Sequence, residues 1–488
     1  MPTTTPTRAR KACIIGSGPN GLSAAIVLAQ AGLEVELFEA EPTIGGATRT
    51  LPLTLPGFLH DFGSAVHPFA AGSPFFATLP LADYGLEWIH SPAVLAHPLD
   101  HHPTVLLERD LSATAQTLAA DGPAWRALIE ALATQWPAFA SEILQPLIHI
   151  PRHPLLLAQF GSHAILPATT LARRHFHTPQ AKALFAGLAA HSFMPLNRPL
   201  SASFGLVLAA AAHAVGWPIP RGGSQSLANA LAAHLTHLGG SITTHTRIHS
   251  LTDLPACDLV LLDVTPRQLL ALAPPGHLTE AYRRQLHRFQ YGPGAFKVDY
   301  ALSAPIPWND PASLRAASLH LGGTLAEIAA SESTLTSRPS PAHPPARPYV
   351  LLSQPTLFDP TRAPAGKHIA WAYTHVPNAQ THPTDPESTL TLLEDQIERF
   401  AKGFRATILA RNISTPATLE SMNHNLIGGD ISGGAMNLRQ LLFRPTRRQY
   451  RTSAPDLFLC SSSTPPGGGV HGMCGFHAAH AALRHIKP

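Results

Sequence analysis

The residues in this chain best suited to chemistry are glycines, clustered near its two ends. Residues 12–41 read ACIIGSGPNGLSAAIVLAQAGLEVELFEAE. Gly16, Gly18 and Gly21 match GxGxxG, followed by Pro19-Asn20 within the spacing and an acid, Glu39, further on. Each glycine has a reason: Gly16 allows a tight turn, Gly18 lets backbone approach a pyrophosphate, and Gly21 lets helix and strand pack closely. The phosphates meet the positive end of the helix. Glu39 stands where an acid accepts hydrogen bonds from a ribose. The pattern predicts a dinucleotide site.

The second cluster is TPPGGGVHGMCGFHAAHAALRH, Thr464–His485. It follows the apolar run LFLC, so it reads as strand, glycine loop and helix. The helix start offers N–H groups and a partial positive charge. The glycines predict that a flat group lies against this backbone. Candidate side chains are few. Lys297 sits in the apolar stretch GAFKVDYAL, in a lysine-poor chain, with Asp299 on the same strand face by alternation. It reads as an outward-facing strand residue, as half of a Lys–Asp pair, or as a catalytic group. His67 follows the turn at Gly63-Ser64, and His471 lies in the second glycine loop. No metal-ligand spacing, defensible Ser-His-Asp triad or second strand-linked GxGxxG is present.

The elements that must position these residues can be read in part. Ala12–Ile15 and Val35–Phe38 suit buried parallel strands, with a helix between them whose Leu22, Ala25, Ile26 and Ala29 share a face. Gly32 suits its C-terminal end. Thr178-Pro179 predicts a capped helix start, and Leu227, Leu231, Leu235 and Leu238 form a helical stripe ended by Gly239-Gly240. Leu259–Leu262 reads as a strand before a helix starting at Thr265-Pro266. Thus the αβ pattern returns after a stretch of different character, His101–Ser192, which alternates helical patterns with prolines. Tyr291–Trp308, residues 349–352 and His368–Pro377 read as strands of a second lobe, Pro386–Ala410 as holding a helix, and Ser331–Pro348 as a surface loop. The stretch Leu144–Phe160, LQPLIHIPRHPLLLAQF, reads first as a buried helical lobe broken by prolines and second as a lipid-facing patch.

Composition sets outer bounds. At 488 residues, two or more lobes are expected. Charged residues are 13%, about half the usual share, while hydrophobic residues are 45% and the formal charge is +4. No dense Lys/Arg stripe is present, which argues against nucleic-acid binding. The four cysteines lack CxxC spacing and fit a reducing compartment. No apolar run reaches the length of a membrane span. The expectation is a cytoplasmic protein that contacts a membrane at most peripherally.

Taken together, GSGPNGLSAA, E-x5-GG, GGDISGGAMNLRQLLFRP and LFLCSSSTPPGGGVHGMCGFHAA resemble the phytoene desaturase-like FAD-dependent oxidoreductases. The nearest resemblance is to the pyridine nucleotide-disulfide oxidoreductase domain-containing protein 2 group. The resemblance implies an α/β, two-lobed flavoprotein: a discontinuous Rossmann-like FAD-binding domain (1–75, 215–290 and 425–488) with an inserted α+β substrate domain (76–214 and 291–424). It implies that Glu39 holds the adenosine ribose and that Gly45, Gly46, Ala47 and Thr48 pass near the rest of FAD. Ile248 would lie near the adenine; Gly63, Ser64, Gly468, Gly469, Val470 and Met473 would lie near the flavin. Lys297, His67 and His471 are then the catalytic candidates. Ser461, where wider relatives often have glycine, puts the local turn geometry in question. The implied activity is desaturation or dehydrogenation of an apolar, carotenoid- or lipid-like substrate, with hydride passing to flavin N5 and a quinone or oxygen as final acceptor. A flavin-dependent isomerase or saturase, an amine oxidase and a non-catalytic flavin-bound regulatory protein are the alternatives.

Overall fold

In the computed structural model the described residues are 10–335, 347–382 and 385–486. They build two sheets. The first has five strands, all parallel, in the order Leu457–Leu459, Leu259–Leu262, Lys11–Ile15, Glu34–Phe38 and Ser241–Thr243. The strands Leu457–Leu459, Leu259–Leu262 and Lys11–Ile15 are short and largely apolar, as burial on both faces requires, while Ser241–Thr243 at the edge is largely exposed. The helix Pro19–Gln30 lies against it, with residues 20–28 buried. The C-terminal helix Met473–Ile486 packs on that helix so closely that a Cβ at Gly475 would stand 1.8 Å from the Asn20 carbonyl oxygen.

The second sheet has seven strands, ordered Ile408–Ser414, Gly294–Leu302, His368–Val376, Val350–Ser353, Ala316–Leu321, Ala93–Leu99 and His102–Leu107. Its pairs are antiparallel except Ala316–Leu321 with Ala93–Leu99. One core cluster fills this sheet, while a larger cluster joins the first sheet to the helices of residues 111–214. In that helical layer, Thr178 caps Pro179–Ala190 by accepting from the Ala181 N–H. The buried Asp121 carboxylate in turn accepts from the His177 and Thr178 N–H groups. Gly205, in the helix Ser201–Ala214, lets Phe185 approach to within 2.9 Å of where a Cβ would be.

Several expectations change. The strand expected over Tyr291–Trp308 is limited to Gly294–Leu302. His101–Ser192 is not wholly helical, because His102–Leu107 pairs with Ala93–Leu99. Ser331–Ser333 end the helix Leu325–Ser333 rather than beginning a loop, and residues 336–346 of that expected loop lie outside the described residues. Leu144–Phe160 is not a buried lobe: Leu147, Ile148, Ile150 and Leu155 are exposed. Proline placement explains this, since helix forms only over Pro154–Ala164 and the preceding loop turns its apolar side chains outward. Finally, Cys13 and Cys257, distant in sequence, are close enough to shift each other's thiol pKa, and Cys13 Sγ donates to the Pro255 carbonyl at 3.9 Å. Neither lines the cavity described next.

Candidate active site and cofactor cavity

A cavity of about 1020 Å³ runs from the first sheet into the space between the second sheet and the helical layer. Its near end is the N-terminal glycine loop. Gly16 has φ +99, and its N–H donates to the Phe38 carbonyl, so strand passes directly into turn. A Cβ at Gly21 would lie 2.0 Å from the Gly16 carbonyl oxygen, so no side chain fits between helix and strand. Gly16, Gly18, Pro19, Asn20 and Glu39 line the cavity, while Gly21 acts from behind. Glu39 closes its strand with its carboxylate anchored by the Ser17 and Glu41 N–H groups, each 2.9 Å away.

The second layer of this near end is the turn Gly46–Thr48. Gly45 has φ +111 and donates to the Ser17 carbonyl; a Cβ at Gly46 would lie 3.2 Å from Gly18 Cα. Gly46, Ala47 and Thr48 line the cavity, whereas Gly45 shapes the turn from outside it. Arg49 follows, donating to the Gly46 and Met422 carbonyls beside Phe62. Burial lowers its guanidinium pKa, with Glu41 opposing that shift. Ile248 lines the wall reached after Ser241–Thr243. Gly63, with Ser64 beside it, is needed because a Cβ there would stand 2.4 Å from the Ala47 carbonyl oxygen.

The C-terminal loop joins the strand Leu457–Leu459 to the helix Met473–Ile486, the expected order. Gly468, Gly469, Val470 and His471 line the cavity, but protein atoms account for much of the glycine requirement. A Cβ at Gly467 would meet Arg444 Nη1 at 2.3 Å, and one at Gly468 the Ser432 carbonyl oxygen at 2.7 Å. Met473 does not line the cavity; its N–H, at the helix start, donates to His471 Nδ1 at 3.0 Å. That leaves the remaining His471 proton on Nε2, a buried nitrogen with no protein partner. Burial pushes His471 down to about 4, so its ring is neutral near pH 7. Ser461 keeps the turn in place of glycine: its carbonyl accepts from the Thr464 N–H and its hydroxyl from the Ser463 N–H.

His67 lines the same wall, with Nε2 2.8 Å from Ser224 Oγ, and burial pushes it down to about 4. Ser224 is positioned by Asp61, itself paired with the buried Arg362 at 3.0 Å. Lys297 is 5% exposed and lines the cavity, which overturns its outward-facing reading. It is ion-paired with Asp299, and its Nζ lies 5.9 Å from the centre of the Trp371 ring. Burial, opposed by Lys297, raises the Asp299 carboxyl pKa.

Other lining residues were not legible as a site. Asp263, at the end of LVLLD, accepts the Gly21 N–H at 3.0 Å and is pushed up to about 7 by burial. Its signal was an acid ending an apolar strand. His191 lines the far half and pairs with His320, Nε2 to Nε2, at 3.0 Å. Burial pushes His191 down to about 3. Among 29 histidines this pair had no local mark. Trp217, Trp371 and Tyr373 also line the far half, brought there by two separate segments of chain, since Trp371 and Tyr373 share the strand His368–Val376.

These residues fit FAD. The near end offers a helix start, glycine backbone that a Cβ would fill, an anchored acid and a buried arginine, as a dinucleotide requires. The orphaned His471 Nε2 and Asn20 Oδ1 give it polar partners within the wall.

The comparisons agree with this geometry. A family model described as an NAD(P)-binding Rossmann-like domain matches residues 14–79. Pyridine nucleotide-disulfide oxidoreductase domain-containing protein 2 of Mus musculus is 28% identical over 98% of this chain and 94% of its own length. Hydroxyneurosporene desaturase of Cereibacter sphaeroides is 30% identical over 46% of each chain. Among solved structures, an oxidoreductase from Methanosarcina mazei shares the fold with a TM-score of 0.65 at 16% identity, covering 97% of this chain and 100% of that one. A putrescine oxidase bound to putrescine shares it with a TM-score of 0.61 at 16% identity, covering 99% and 100%. The glycine loop, the acid at the strand end and the sequence similarity along the chain make this protein an FAD-dependent oxidoreductase, similar to the phytoene desaturase-like group.

Proposed function

We propose that this oxidoreductase desaturates or dehydrogenates an apolar, carotenoid- or lipid-like substrate. The observation that carries this reading is the charge distribution in the cavity. Its lining carboxylates are Glu39, Glu41 and Asp263, all on the dinucleotide side. The far half is walled by Leu157, Phe160, Phe204, Val207, Trp217 and Trp371. An apolar chain is favoured there, because burying it removes hydrocarbon from water. An ammonium group would lose hydration without gaining a carboxylate. Trp371 and Tyr373 lie side by side on one strand, ring centres 5.5 Å apart and tilted by 33°, so they form one wall rather than two facing plates.

FAD supplies a two-electron acceptor for C–H oxidation when bound. The chain's residues position and exclude. Arg49 and the glycine loop would hold the phosphates of FAD, and Glu39 its adenosine ribose. Neutral His67 and His471 hold fixed hydrogen-bond directions near the junction. Lys297, kept in place by Asp299, is the cation closest to the aromatic wall of Trp371. The electron acceptor is assigned to the quinone or oxygen class, because the sequence has no second strand-linked GxGxxG for a nicotinamide dinucleotide.

The test is the visible spectrum of the purified holoprotein under anaerobic conditions, before and after addition of a cellular apolar-lipid extract. Bleaching of the flavin band is expected. An unchanged band overturns the oxidative reading, and turnover only after chemical reduction then assigns the site to an isomerase or saturase.

A further inference from the structure

We infer that residues 144–165, with the arginines beside them, form a docking surface for an anionic lipid bilayer and give apolar molecules an entry to the cavity. The entry role rests on the apolar-substrate reading; the docking role does not.

The first observation is exposure. Five of the ten exposed large hydrophobic residues among the described residues fall within nineteen positions of one another: Leu147 (51%), Ile148 (57%), Ile150 (93%), Leu155 (85%) and Ile165 (60%). Scattered apolar side chains are ordinary on a surface, but a contiguous group marks a contact site.

The second is that this loop is built. Glu142, buried beneath it, accepts the Arg152 and His153 N–H groups at 2.8 Å and faces His149 Nε2 at 2.6 Å. His149 Nδ1 faces the Pro146 carbonyl at 2.8 Å. The loop is thus folded around the one acid near it. Its hydrogen-bonding groups turn inward while Ile148 and Ile150 are held outward.

The third is continuity with the cavity. Leu147 and Ile165 are both exposed and part of the cavity lining. Leu157, Phe160 and Ala164, on the intervening helix, line it as well. The outer apolar patch therefore runs into the apolar half of the interior without a polar break at these residues.

The fourth is charge. Residues 143–252 contain no Asp or Glu but do contain Arg152, Arg173, Arg174 and Arg198, all exposed. Arg198 stands near the patch, because the Leu200 N–H donates to the Ile165 carbonyl. Apolar tips with Arg152 and Arg198 beside them, and with the helix that carries Arg173 and Arg174 brought against Pro154–Ala164 through His163 and His175, ring centres 5.3 Å apart, match an anionic headgroup layer over hydrocarbon. The same arginines would repel those of a second copy, which disfavours self-association through this face.

The attachment is in the plane of the surface. No single helix among the described residues is long and apolar enough to cross a membrane. The helices Pro154–Ala164 and Ala168–His175 meet at 96°, and Ala168, Leu171 and Ala172 of the second are buried in the protein. Only the first helix and its preceding loop remain to meet lipid.

The test is flotation of the FAD-loaded protein with vesicles of phosphatidylcholine alone and of equimolar phosphatidylcholine and phosphatidylglycerol. The wild type is expected to float with the mixed vesicles and to bind neutral ones about tenfold more weakly or worse. Ile150→Asp/Leu155→Asp should weaken mixed-vesicle binding by about tenfold or more, because each substitution places a charge where a side chain would insert. Both positions are exposed, so flavin absorbance and melting temperature should be retained. Arg173→Glu/Arg174→Glu should weaken binding only to the anionic vesicles. Failure of the wild type to float, equal binding to both vesicle types, or unchanged binding by the Ile150/Leu155 variant overturns the inference. A concentration-dependent dimer lost in that variant, with no flotation, assigns the patch to self-association instead. Vesicle binding with no flavin bleaching by lipids would leave the docking surface intact and defeat the apolar-substrate reading.

Discussion

The two halves of the cavity are built on opposite plans. The dinucleotide half is made largely of backbone: glycines at 16, 18, 46 and 63 let main chain approach main chain, and side chains enter mainly as anchors such as Glu39 and Arg49. The far half is made of side chains. Its aromatic and aliphatic wall comes from helices after residue 143 and from strands of the second sheet, and its histidines are kept neutral by burial. A phosphate-bearing cofactor needs dipoles at fixed positions, which backbone geometry supplies. An apolar substrate needs shape and dryness, which many side-chain combinations supply. The first plan therefore leaves a local sequence signature, and the second does not.

The comparison can be broken most severely at the backbone. Gly21→Val is expected to drive a side chain into the Gly16 carbonyl, costing about 3 kcal/mol and abolishing retained flavin absorbance in the purified protein. If flavin is retained at the wild-type ratio, the close helix–strand approach is not what holds the near half together. Next is the junction. Lys297→Met leaves the fully buried Asp299 without its cation and is expected to lower stability by about 3 kcal/mol in thermal or denaturant unfolding. Lys297→Met/Asp299→Asn should recover much of that loss. Flavin reduction by apolar lipids measured in the double variant then separates a role in the reaction from a role in the fold.

The smallest effect is expected at Asp263. Its carboxyl is pushed up to about 7 from an ordinary 3.8 by burial, so the folded state holds this proton more tightly than the unfolded chain. The contribution is fully present below about pH 4 and lost as pH rises through about 7. Asp263→Asn keeps an acceptor for the Gly21 N–H and removes the titration. The variant should be more stable than wild type above pH 7, with the advantage shrinking towards pH 4. Denaturant melts of flavin-free protein across that range measure it. A pH-independent difference would show that Asp263 does not titrate there.

Much of the near half could be read before any coordinates. The alternation of strand, glycine loop and helix predicted Ala12–Ile15, the Pro19 helix and Leu259–Leu262, because these elements declare themselves within a dozen residues. The C-terminal glycines read as a loop between strand and helix, which the structure has, but the protein neighbours that also require glycine there are not legible. Arg444 and Ser432, which crowd Gly467 and Gly468, are brought there from the preceding loop, and no spacing announces them. The outward-facing reading of Lys297 fails for a related reason, while its pairing with Asp299 holds. Alternation placed it on the same face as Asp299, but which face meets the cavity depends on what covers the sheet. The exposed loop around Ile150 reversed its first reading because proline and leucine content is the same for a broken core helix and for a loop turned outward.

By itself, then, the sequence determined the dinucleotide half: glycine spacing, the acid after the second strand and the run of short apolar strands are local constraints, set by backbone sterics over a few residues. Tertiary structure alone decided the far half. Which histidines are neutral, where the carboxylates stop, which thiols meet and which leucines face outward follow from burial. Burial is a property of the packed whole, because desolvation and side-chain contact depend on segments hundreds of residues apart.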